Sequence, residues 1–157
     1  MNAITHNEMG WLVSALRETD RKAVEIFKDG RSLLHICAQY DAEEICFALV
    51  KVGYNVNAVD NYGHTPLFTA IQHGNYDTCL VLIQNDANVD HQDPNGNTPL
   101  IKAISTNNLD IIKLLLDFGA DVNKPNIYNE TPLFIACLEK RDEIQKYLID
   151  KGGVLEI

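Results

Sequence analysis

The chain has 157 residues, of which 46% are apolar and 22% charged, enough for one domain with a continuous core. Its 13 Lys and Arg stand against 22 Asp and Glu, a formal charge of −9, which repels phosphate backbones and anionic lipid and so argues against nucleic acid or membrane as partner. The first segment, MNAITHNEMGWLVSALRETD, has no basic leader, and no stretch approaches the ~20 apolar residues of a membrane span, so the expectation is a soluble, cytoplasmic chain.

From residue 8 to residue 28, Trp11, Leu12, Ala15, Leu16, Ala23, Val24 and Phe27 fall at helical spacing, broken near Thr19-Asp20. Residues 1–29 therefore read as an N-terminal cap of two short helices, with Trp11 filling the core beneath it.

From Gly30 onward the chain repeats with a period of 33: GRSLLHICA, GHTPLFTAI, GNTPLIKAI and NETPLFIAC begin at Gly30, Gly63, Gly96 and Asn129. One domain of four layers follows, at about 30–62, 63–95, 96–128 and 129–157. Ser32, Thr65, Thr98 and Thr131 stand where a hydroxyl can accept from an unpaired N–H at a helix start, and the Pro after each Thr costs nothing there, since its N–H would be unpaired anyway. Two residues after the Ser or Thr comes Leu34, Leu67, Leu100 or Leu133. Five residues after it comes Cys37, Ala70, Ala103 or Ala136, small enough for layers to approach closely. A second helix carries the bulky filling, Leu49-Val50, Leu82-Ile83, Leu115-Leu116 and Leu148-Ile149, and closes at Gly53, Asp86, Gly119 and Gly152, in the left-handed conformation. A short extended hairpin then turns at Gly63, Gly96 and Asn129. Asn57, Asn88 and Asn123 in these loops read as turn formers whose amides bond to nearby backbone.

Cys46 and Cys79 fall at equivalent sites one layer apart. Packed helices lie about 8–10 Å apart, too far for the usual ~4.4–6.8 Å between disulfide-linked Cα atoms, so buried free thiols in a reducing compartment are expected. In the last layer Asp142 and Gln145 replace the Tyr76 and Leu109, and the Cys46, Cys79 and Ile112, of earlier layers, the polar outer face expected where a stack stops.

The period, TPLF at Thr65 and Thr131, TPLI at Thr98, and LLLDFGADVN from Leu114 to Asn123 resemble the ankyrin repeat, and the resemblance covers residues 30–157. It implies an all-α repeat solenoid of helix-turn-helix units with hairpin loops. It also implies a hydrogen bond from the histidine after the leucine to neighbouring backbone. Only His35 keeps that residue; Phe68, Ile101 and Phe134 stand elsewhere and can pack there, and Ser32-Leu33 replaces Thr-Pro.

No catalytic residue, metal or cofactor is expected. His6, His35, His64, His73 and His91 are dispersed over different layers, whereas zinc needs three or four convergent ligands. There is no glycine-rich phosphate loop and no nucleophile elbow, and Cys37 and Cys137 lie in or beside the packing column, where a thiol is desolvated and inert. The resemblance instead implies a concave binding face of hairpin tips and inner helices, where the layers differ: Arg31 and Tyr40; Asn61, Tyr62, His64 and His73; Asn95 and Asn97; Ile127, Tyr128 and Leu138. The tyrosines either anchor a partner, as tyrosine often does, or cover the neighbouring tip. The expected function is a monomeric protein–protein interaction module whose partner is a basic or mixed-charge protein. The alternative is an inhibitor or immunity protein that occludes an enzyme's active site with the same face.

Because the repeated leucines fill the shared core, Leu82→Ala is expected to cost about 2–5 kcal/mol, read from the urea unfolding midpoint. A loss within error of zero would remove Leu82 from the core.

Overall fold

The computed structural model describes residues 29–155. The reading of residues 1–28 as a helical cap, Trp11 included, lies outside them. The described residues form eight helices in four pairs: α1 (Leu33–Gln39) with α2 (Glu43–Lys51), α3 (Pro66–His73) with α4 (Tyr76–Gln84), α5 (Pro99–Ser105) with α6 (Leu109–Asp117), and α7 (Pro132–Leu138) with α8 (Asp142–Asp150). No strand occurs among the described residues.

The inner helices begin as their sequences dictate. Thr65, Thr98 and Thr131 accept through Oγ1 from the N–H of Phe68 (3.5 Å), Ile101 (3.3 Å) and Phe134 (3.2 Å), each with Pro in the first turn. The first layer lacks that Pro and uses its histidine: His35 Nδ1 accepts from the Ser32 N–H at 3.0 Å and lies 2.9 Å from Ser32 Oγ. An acceptor Nδ1 places the ring proton on Nε2, which donates to the His64 carbonyl of the next layer at 2.9 Å. Phe68 and Ile101 at the equivalent positions are buried and make their contacts by packing alone.

Each inner helix packs on its own outer helix and on the inner helix of the adjoining layer. Leu34, Leu67, Leu100, Ala70, Ala103 and Ala136 lie at 0% exposure between layers, as do Leu82, Leu115 and Leu148 from the outer helices. The second member of the outer-helix pair departs from expectation. Ile83 is buried, Val50 and Leu116 are half-buried, and Ile149 is 58% exposed. This column faces along the stack, and among the described residues Ile149 has a neighbouring layer on one side only.

Every reversal uses a left-handed residue: Asp41, Gly74, Asn107 and Lys140 between paired helices, and Gly53, Asp86, Gly119 and Gly152 after the outer ones. Glycine is sterically required at the hairpin tips. A Cβ on Gly63 would lie 2.6 Å from Pro94 Cδ, and one on Gly96 2.6 Å from the Ile127 nitrogen, because the next tip rests on each. At the fourth tip, with no following tip among the described residues, Asn129 takes the same conformation at φ 60°.

The tips are stitched by backbone bonds from the Asn61 N–H to Asp29 O (2.9 Å) and from the Ile127 N–H to Asn95 O (3.0 Å). Between layers two and three the donor position is Pro94, which has no N–H. Deeper in the loops, Asn57 and Asn123 reach across layers rather than closing local turns. Asn57 Nδ2 donates to Asp86 O and its Oδ1 accepts from the Asn88 N–H; Asn123 repeats this with Gly152 O and the Val154 N–H, at 2.7–3.0 Å throughout. Asn88 alone keeps the local bond, accepting from the Asp90 N–H.

Asp90 occupies the clamp position of Asn57 and Asn123, accepting from the Asp121 N–H at 3.0 Å but offering no amide donor. Asp90→Asn restores that donor and removes a carboxylate from an acidic chain, so a gain of about 0.5–1.5 kcal/mol is expected in urea unfolding. An unchanged midpoint would mean that the amide half of the clamp contributes nothing.

Burial holds the His35 imidazole below its ordinary pKa of 6.5, against the opposing pull of the His64 carbonyl. The unfolded chain therefore takes up a proton near 6.5 that the folded chain refuses until lower pH, and stability falls as pH drops through and below 6.5. Thermal midpoints at mildly alkaline and mildly acidic pH are expected to diverge in the wild type and to converge in His35→Phe. Equal divergence in both would assign the effect to other groups.

Candidate docking face

The inner helices and the hairpin tips line one face of the stack. Each tip is set by its first side chain. Asp60 Oδ1 accepts from the Tyr62 and His64 N–H groups, Asp93 Oδ1 from Asn95 and Asn97, and Asn126 Oδ1 from Tyr128 and Glu130, all at 2.8–3.0 Å. The amide in the fourth layer answers a local need, because Asn126 Nδ2 donates to Glu130 Oε2 at 2.7 Å, where a carboxylate would meet like charge.

This arrangement brings His64, Asn95, Asn97 and Leu138 together around a groove of about 450 Å³ spanning layers two to four. Lys102, Ile135, Glu130 and Glu139 complete its chemistry. Lys102 and Ile135 belong to a column, Ile36, Thr69, Lys102 and Ile135, four residues past each helix cap and on the same side. That spacing was the signal that could have found them. Asp93 and Asn126 serve both as turn formers and as groove wall.

Ile127, Tyr128 and Tyr62 stand on the tips at 64%, 67% and 65% exposure. By register Asn95 lies between Tyr62 and Tyr128 along the rim. The Tyr62 ring stacks on His64 at 6.3 Å, His64 on Phe68 at 5.4 Å, and Phe68 meets the edge of His91 at 6.0 Å. The His64 ring also lies 4.0 Å from Asp60 and 3.9 Å from Asp93.

Other positions fall apart from the groove. Tyr40 is exposed at the C-terminal end of α1, one side chain from a helix end rather than a tip. His73, at the end of α3, is exposed with Nδ1 2.9 Å from Thr69 O. Asn61 is exposed on the second tip. The Arg31 guanidinium is turned onto its own layer, donating to Gln39 Oε1 at 2.6 Å and to His35 O at 3.3 Å, with Asp29 3.9 Å away.

Among the described residues no group of three or more His, Cys, Asp or Glu is placed to hold a metal ion. All four cysteines are free thiols. Burial pushes the Cys79 pKa up to about 12. Cys46 is raised far above the ordinary thiol range by its hydrogen bond with Cys37 and by burial, whereas the same bond draws Cys37 down against its own burial.

Four helix pairs in register among the described residues, joined by loops whose tips pack on one another, define a helix-turn-helix repeat solenoid. A family model described as ankyrin repeats (3 copies) matches residues 1–93 and 82–156, and the chain belongs to the ankyrin-repeat family. The match reaches back to residue 1, beyond the four registers legible from Gly30. A segment of 49 residues, 30% of the chain, is 45% identical to part of Rabankyrin-5 of Homo sapiens, and covers 4% of that protein's length.

Proposed function

We propose that this chain is a protein-docking module that holds a partner on the concave face by binding rather than turnover. Proteins of this family are in general protein–protein interaction modules. The observation that carries the concave-face reading is the set of large side chains left uncovered there: Tyr62, Ile127, Tyr128 and Leu138, each at least 64% exposed on tips and helix ends that the hydrogen bonds hold in place. Prefixed aromatic and aliphatic anchors bind at small entropic cost.

The partner carries basic or mixed charge, complementing the −9 of the chain. No helix among the described residues is long and apolar enough to cross a membrane. The chain works inside cells as a monomer, where reducing conditions keep Cys37, Cys46, Cys79 and Cys137 as thiols.

The test is site-specific photocrosslinking in cells of the native source, with a benzophenone side chain placed at Tyr62, at Tyr128, or at the outer-helix residue Phe47. Adducts to one protein from the two tip positions and not from Phe47 are expected. Adducts from Phe47 alone would overturn the concave-face reading. Stoichiometric loss of the partner's catalytic activity on adding the chain would replace docking by occlusion of an active site.

A further inference from the structure

We propose that the groove walled by α5, α7 and the tips of layers three and four takes an extended partner segment in which an arginine or lysine stands beside a bulky apolar residue. The inference rests on the concave-face reading and gives that face its ligand chemistry. At about 450 Å³ the groove has room for a few side chains.

One wall is apolar. Leu138 closes α7 and stands 67% exposed, above Ile135 one turn earlier, so an apolar side chain seated there removes the leucine from water. Beside that wall are the carboxylates of Glu130, Glu139 and Asp93. Each is held by donors that fix its direction. Glu130 Oε2 accepts from Asn126 Nδ2 at 2.7 Å, Glu139 Oε1 from Ser105 Oγ at 3.1 Å, and Asp93 Oδ2 from Asn97 Nδ2 at 3.3 Å.

These donors are neutral, so they orient the carboxylates without cancelling their charge. The counter-charges are Arg141, whose Nε lies 3.4 Å from Glu139 Oε2, and the ring of His64, 3.9 Å from Asp93 Oδ2. Lys102, also lining the groove, forms no ion pair with them. Three carboxylates against Lys102 and the Arg141 guanidinium leave a net negative charge, with Glu130 free of any ion pair among the described residues, and a guanidinium or ammonium entering there gains charge-assisted bonds. Lys102 remains to meet a carbonyl of the bound segment, and an acidic segment is repelled.

The test uses the whole chain, labelled with nitrogen-15, and three blocked dipeptides as probes: N-acetyl-leucyl-arginine amide and its glutamine and glutamate counterparts. The arginine probe is expected to give saturable amide shifts confined to Lys102, residues 126–130 and residues 135–139. Its binding should be about five-fold tighter than that of the glutamine probe, and tighter still than that of the glutamate probe. In the Glu130→Gln, Glu139→Gln double variant the arginine preference should vanish while the glutamine probe binds as before. Leu138→Ala should weaken all three.

Equal affinity for the three probes, a preference that survives the double variant, shifts centred elsewhere, or no saturable shift at all would each overturn the assignment. A partner that crosslinks at Tyr62 and Tyr128 yet gives these negative results would leave the docking face standing and remove only its ligand chemistry. Crosslinks confined to Phe47 would remove the docking face itself.

Discussion

A single helix pair of this chain cannot bury its own apolar face. Leu67 and Leu82 reach full burial only because layers one and three close on them from either side, and the approach is close enough because Cys37, Ala70, Ala103 and Ala136 are small where the inner helices meet. The apolar filling is thus a property of neighbours, not of units. The same dependence explains Ile149, which carries the side chain of a core position without a second neighbour to cover it among the described residues.

Close stacking then dictates the loops. Tips that rest on one another leave no space for a Cβ at Gly63 and Gly96, and the freed polar groups are taken up across layers by Asn57, Asn123 and the His35 ring. Among the described residues no buried side-chain nitrogen or oxygen lacks a partner. The repeated geometry of the frame comes from these ties, and the layers differ in exposed side chains outside them, such as Tyr62, Tyr128 and Leu138.

Most of the frame was legible in the sequence because each of its constraints recurs. Thr65, Thr98 and Thr131 announce helix starts, the Gly53, Asp86, Gly119 and Gly152 column announces stops, and a period of 33 links them. The face was less legible, since a period assigns a residue to a column but says nothing of what its head group bonds to. Arg31 falls in an outward column and folds back onto Gln39; Tyr40 falls at a helix end. Lys102 and Ile135 lie inside helix motifs read for their capping and buried columns, and Asp93 lies beside a turn read at Gly96 alone, so the groove wall that they form was not assigned. The cross-layer reach of Asn57 and Asn123 was hidden for a related reason: an asparagine in a loop can close a local turn or bridge two layers, and spacing alone does not distinguish them.

Among the described residues, Pro94 leaves the row of tips with one junction that has no main-chain tie. Tips one and two are joined by a backbone bond, as are tips three and four, but at the middle junction the proline ring merely rests on Gly63, and His91 Nε2 reaches the Gly63 carbonyl at 2.8 Å as a side-chain substitute. Apart from His64, the groove's lining lies beyond that junction, with Tyr62 on the other side of it. The seam held by side chains alone thus runs along the edge of the groove.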